Sequence, residues 1–159
     1  MSKITTFLWF NGQAEEAANF YVSVFKNSKV NTIARYGDAG PGPKGSVMTI
    51  AFDIEGHPFV GLNGGPDYRF TPAISFAVNC DTQQEIDDYW AKLASGGGQE
   101  VQCGWVTDKY GVSWQIVPRI LGRLMSGPNA SRVMAALLKM KKLDIATLQA
   151  AAEGQLATP

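Results

Sequence analysis

The chain has very little of what metal and nucleophilic chemistry needs. Histidine occurs once, at His57, and cysteine twice, at Cys80 and Cys103, in 159 residues. A single imidazole, in a Gly-His-Pro turn, excludes any Ser/His/Asp set that does not pass through that turn. Two cysteines far apart make neither a CxxC pair nor a disulfide framework, and both read as reduced thiols. No apolar run approaches the roughly 18 residues of a membrane span, and the start, Met-Ser-Lys-Ile-Thr-Thr-Phe, lacks the apolar core of a signal peptide. The expected location is the cytoplasm, with no membrane partner. An excess of one charge is missing too. Fourteen basic and fourteen acidic side chains cancel, so no global positive field gathers nucleic acid. Neither a phosphate loop nor zinc-ligand spacing occurs.

What is present is ordinary globular material, 45% hydrophobic and 18% charged, in a chain long enough for one compact folded unit. The charges are unevenly placed. Residues 1–118 carry eight basic and twelve acidic groups, and residues 119–159 carry six basic and two acidic. This reads as a helical tail with solvated lysines and arginines, or as a tail that docks on an acidic surface.

An internal repeat organises the chain. Ala17, Phe20, Tyr21 and Val24 fall at i, i+3, i+4 and i+7, one helical face, and Ile86, Tyr89, Trp90 and Leu93 keep that spacing 69 positions later. Each helix follows an apolar run ending in asparagine, Ile4 to Phe10 then Asn11, and Ala73 to Val78 then Asn79. Thr82 and Glu85 form a capping box at the start of the second helix, and Gly96-Gly97-Gly98 ends it. Three β-rich runs follow each helix. In the first half these are Lys29 to Tyr36, Val47 to Ile54 and Pro58 to Asn63; in the second, Glu100 to Cys103, Trp105 to Thr107 and Val112 to Val117. The expectation is an α+β fold of two β-α-β-β-β modules, residues 1–70 and 71–118, with a helical tail over 119–159, as one structural domain. Leu121, Leu124 and Met125 begin the tail, Val133 to Leu138 continue it, and Asp144 caps a last helix from Ile145.

Leu62-Asn63-Gly64-Gly65-Pro66, Cys103-Gly104-Trp105 with Asp108 and Gly111, and Ser113-Trp114-Gln115 with Pro118 resemble the PhnB-like branch of the vicinal oxygen chelate superfamily, whose members include glyoxalases, bleomycin-resistance proteins and extradiol dioxygenases. Members of that branch often carry the label 3-demethylubiquinone-9 3-methyltransferase. Met140 to Ala146 is also similar to its C-terminal segment, which extends the resemblance nearly end to end. The resemblance implies curved mixed sheets around clefts, and a homodimer whose pairing completes them. The tail's apolar faces, including Leu121, Leu124, Leu137 and Leu138, give a second reason to expect that dimer.

Metal-dependent relatives are expected to carry His and Glu on the first and last strands of each module. Here those runs are Ile-Thr-Thr-Phe-Leu-Trp-Phe, Pro-Phe-Val-Gly-Leu-Asn, Ala-Ile-Ser-Phe-Ala-Val and Val-Ser-Trp-Gln-Ile-Val, without His, Asp, Glu or Cys. Gln115 stands about where the last-strand glutamate is implied, so neither a metal nor another cofactor is expected. A methyltransferase site of the S-adenosylmethionine type calls for a glycine-rich turn from strand to helix, and each glycine cluster here sits in a hairpin or after a helix.

Two readings of function remain. One is a metal-free module binding a small planar or amphipathic molecule, with Gln115, Asn63, Trp9, Trp105 and Trp114 as ligand contacts. The other is a metal-independent enzyme, glyoxalase-like or of the methyltransferase-labelled type, with Asp108 or Cys103 as acid, base or nucleophile. Asn63 and Asp108 read equally as turn formers, and Cys103 as a small buried hydrophobe. In the last strand, Ser113, Gln115 and Val117 share one face and Trp114 and Ile116 the other.

Overall fold

The computed structural model describes residues 2–154, which divide between two compact units, Met1–Phe70 and Thr71–Pro159. In the first, β1 (Thr6–Phe10), α1 (Ala14–Val24), β2 (Lys29–Arg35), β3 (Val47–Ile54) and β4 (His57–Asn63) form a four-stranded sheet in the order β1-β4-β3-β2. In the second, β5 (Ser75–Cys80), α2 (Gln83–Ala94), β6 (Gln99–Glu100), β7 (Trp105–Thr107) and β8 (Ser113–Pro118) repeat that plan in the order β5-β8-β7-β6. First and last strands of each module pair in parallel and the others antiparallel. This is the glyoxalase/bleomycin-resistance fold.

One face of each sheet is covered by its own helix. Under α1 lie Leu8, Phe10, Ile50, Phe52 and Phe59, all buried, with Tyr21 of the helix stacked on Phe52. Gly61 sits beneath the first turn of α1, where a Cβ would come within 3.2 Å of Ala14 and 3.1 Å of Ile50. Under α2 lie Val106, Trp114 and Ile116, which meet Ile86, Trp90 and Leu93 of the helix. The cap of α2 follows the capping-box logic with one change. Thr82 Oγ1 accepts from Glu85 N at 3.1 Å, while the Glu85 carboxylate reaches back to Asp81 N at 2.9 Å.

Several boundaries differ from the sequence reading. The turn before β4 is only Glu55-Gly56, so His57 opens the strand, paired with Ile54. Asn79 lies inside β5, which runs on to Cys80. The Glu100 to Cys103 strand shrinks to Gln99–Glu100, because Cys103 (φ 61°) and Gly104 (φ 83°) are both left-handed and Trp105 N–H donates to Gln102 O, a turn of the I′ kind.

The tail, α3 (Leu121–Met125), α4 (Ala130–Leu137) and α5 (Ile145–Ala152), belongs to the second unit. Val133, Leu143, Leu148 and Ala151 form its core, and Val117, Leu121, Leu124 and Leu137 pack against it. Main-chain N–H groups of Cys103 and Gly104 donate to the carbonyls of Met140 and Lys141, and Gln83 bonds both Leu143 O and Ile145 N. The tail's apolar face is therefore largely covered within its own unit, leaving Leu138 and Met134 exposed. Of the four leucines that point to a dimer, Leu121, Leu124 and Leu137 are packed here and Leu138 stays exposed.

Candidate functional site

Side chains alternate along a strand, so each sheet has a second face, turned away from its helix. On that distal face of the second sheet, Gln115 of β8 lies between Ala77 of β5 and Trp105 of β7, its direct partners in register. Gln115 and Trp105 are half-buried, and Gln115 Nε2 donates to Ser75 Oγ at 2.9 Å. Trp114, the next residue, takes the opposite face. It is 2% exposed, and its indole N–H donates to Asp108 Oδ2 at 2.8 Å. Trp114 thus packs in the core beneath α2, apart from Gln115 and Trp105.

Asp108 is buried between β7 and β8, and its carboxylate organises their connection. Oδ1 accepts from Tyr110 N at 2.9 Å and Val112 N at 3.0 Å, while Oδ2 takes the Trp114 indole. A carboxylate holding three N–H groups, two of them in buried bonds, is a structural centre of this module. Cys103 occupies the left-handed corner of the β6–β7 turn and is partly exposed. Cys80 is buried, and burial, with Glu85 and Asp81 adding to it, pushes its thiol up to about 12.

In the first unit, Asn63 and Trp9 fall on opposite faces. Asn63 points toward the helix: its Oδ1 accepts from Ala14 N, the first residue of α1, and its Nδ2 donates to Val47 O. Its carbonyl accepts from the Tyr36 hydroxyl at 2.7 Å. Trp9 lies over Gly64 on the distal face, where a Cβ on that glycine would come within 2.3 Å of the indole, and its N–H donates to Gly65 O. Trp9 also meets Tyr68 edge-on at 4.9 Å. A separate cavity of about 610 Å³ opens between the 37–45 loop, the start of α1 and Asn63 to Gly65, with Arg35 and Glu15 as its charged groups. Asn63 and Tyr36 border it, and Trp9 does not.

Comparison with known proteins gives the family. The family model described as 3-demethylubiquinone-9 3-methyltransferase matches residues 2–117. The chain belongs to this family. A PhnB protein from Bacillus cereus that carries the same label is 42% identical, with 74% of this chain matching 99% of that one at a TM-score of 0.67. The protein PA1353 from Pseudomonas aeruginosa is 21% identical, with 74% of this chain matching 98% of that one at a TM-score of 0.58. The fosfomycin resistance protein FosX from Mesorhizobium loti is 13% identical, with 73% matching 91% at a TM-score of 0.51. These last two share the fold alone. No match was found among curated protein sequences. The family match ends at residue 117 and leaves the tail, with Met140 to Ala146, outside it.

For this PhnB-like chain the family's name is a label, and its strand-to-helix turns, residues 11–13 and 81–82, are not glycine-rich. Among the described residues, no group of three or more His, Cys, Asp or Glu side chains comes together as a metal site. His57 stands at the exposed start of β4, its Nε2 3.3 Å from Thr6 Oγ1. Among the same residues, no helix is long and apolar enough to cross a membrane. The side chains that sequence reasoning passed over are Ser75 and Thr107, which share the distal face with Gln115 and with Ser113, already placed beside Gln115 by the alternation along the last strand. Period-two parity counted outward from Gln115 along β8 and across to its neighbours was the signal that points to them.

Proposed function

We propose that this PhnB-like protein is a cytoplasmic, homodimeric binding module that holds a small planar or amphipathic molecule on the distal face of its second module, without a metal. The observation that carries the reading is the placement of Gln115: half-buried, on the face free of α2, and directly across the ladder from Trp105. A flat apolar wall beside a neutral amide suits a ligand that is apolar over most of its surface and polar at one point. Trp9, on the distal face of the first sheet, is an aromatic surface of the same kind within the first unit, beside Tyr68. Support for a second copy of the chain comes from Phe7, on that same face and 60% exposed, and from Ile4 and Ile74, at 79% and 74%.

The enzyme reading through Asp108 or Cys103 has less behind it, because both Asp108 oxygens already hold the β7–β8 connection. Native mass spectrometry of protein purified under mild conditions tests the proposal, with a small organic molecule retained by the wild type as the expected result. Gln115→Ala is expected to lose that molecule, or to bind it about 5- to 30-fold more weakly, while melting within a degree or two of wild type. Retention undiminished in Gln115→Ala, or about one zinc, iron, nickel or manganese per chain by elemental analysis, counts against it. Sedimentation velocity at micromolar concentration checks the dimer, and a monomer there rules it out.

A further inference from the structure

The distal face of the second sheet carries two rows of side chains with no ionisable member. Register places Ser75, Ser113, Thr107 and Gln99 in one row across all four strands, and Ala77, Gln115 and Trp105 in the next. Within the first row Ser113 is only 2% exposed, and its Oγ has no hydrogen-bond partner. A buried hydroxyl without a partner is costly, and a native structure that keeps one needs a reason for it. Its neighbour Ser75 is engaged by the Gln115 amide, which ties the two rows together.

We infer that these rows are the polar subsite for an uncharged ligand that carries a hydroxyl or carbonyl oxygen on a flat apolar ring. The oxygen lies against Ser113 and Gln115, and the ring lies against Trp105. This rests on the binding-module reading above and adds the ligand's charge state and the side chains that read it. Hydroxyls and a carboxamide donate and accept, so they match a ligand hydroxyl or carbonyl equally well. A carboxylate or ammonium group brought here loses its water and meets no counter-ion in either row, which disfavours charged ligands. Ser113 Oγ is enclosed, so the ligand oxygen reaches it by parting the side chains that close over the row.

Three probes with one ring system separate the possibilities: naphthalene, 2-naphthol and 2-naphthoate, titrated at pH 7 and followed by tryptophan fluorescence and by ligand-observed NMR. The expected result is 2-naphthol binding at least about ten-fold more tightly than 2-naphthoate. Ser113→Ala is expected to weaken 2-naphthol about three- to ten-fold and leave naphthalene unchanged. In the free protein the same substitution is expected not to lower the melting temperature, because the hydroxyl it removes has no partner to lose. Equal or tighter binding of 2-naphthoate, or undiminished 2-naphthol binding by Ser113→Ala, overturns this inference and leaves the binding-module reading standing. Absence of binding by all three probes overturns both.

Discussion

Phe10 O accepts from Gly64 N in the first module just as Cys80 O accepts from Arg119 N in the second, so the two ladders can be laid over each other residue by residue. Val60 then takes the place of Gln115, Phe7 the place of Ala77, and Ala51 the place of Trp105. The row that is Ala77, Gln115 and Trp105 in one module is Phe7, Val60 and Ala51 in the other. Aromatic bulk has moved from the first strand to the third, and the polar group in the middle has become a valine. Beneath the helices the contrast continues, with Gly61 opposite Ile116. Alanines Ala14, Ala17 and Ala18 let α1 lie close on Gly61, whereas the larger Ile86, Trp90 and Leu93 of α2 meet a larger residue on the sheet. One backbone plan thus holds two different chemistries, because period-two alternation lets the distal face vary without disturbing the core.

The two modules differ most in stability at the connection between their third and last strands. Asp108→Ala strands three N–H groups, two of them buried, and is expected to cost about 3–5 kcal/mol, with the second unit unfolding before the first in urea. Glu55→Ala, at the first module's counterpart turn, is expected to change stability by less than about 0.5 kcal/mol. Gly61→Ala comes next. Its Cβ meets Ala14 and Ile50 at 3.2 and 3.1 Å, so α1 must shift by a few tenths of an ångström, and a cost of about 1–3 kcal/mol in thermal unfolding is expected.

The modules also differ in their response to pH, because Phe10 occupies the place of the titratable Cys80. The Cys80 thiol is raised from 9.0 to about 12 in the folded protein, so its contribution is fully present below pH 9.0 and is lost as pH rises toward 12. A calorimetric series over that window is expected to show an alkaline decline in melting temperature that Cys80→Ala makes shallower. The smallest effect belongs to Asp87, whose carboxyl is held below its usual range by hydrogen bonds from Lys142 and Gln83. That contribution is present above pH 3.8 and fades as pH falls through the lowered folded value, so Asp87→Asn is expected to flatten only the acid limb of the melting curve, and less so in high salt.

Much of this was legible in the chain. The 3.6-residue spacing of Ala17, Phe20, Tyr21 and Val24 marks α1, its repeat marks α2, and Asp144 caps α5 through Thr147 N as its residue type suggests. The places where reading failed share a cause. Nothing local says that Asn79 continues a strand whereas Asn11 leaves one; the connection into α2 is one residue shorter than that into α1, and only the pairing with Val117 reveals it. Cys103 adopts a left-handed conformation, where its main-chain N–H meets a carbonyl 37 positions away, at Met140. Trp114 and Trp105 look alike as aromatic strand residues, yet one is core and the other borders the proposed site.

Elements and family followed from the sequence by itself, because helix periodicity, turn residues and caps are short-range properties of neighbouring side chains. Which face each strand residue takes was decided by tertiary structure alone. A strand has two equivalent sides until a helix covers one of them, and only α2 packing on Trp114 and Ile116 turns Gln115, Ser113 and Trp105 to the other.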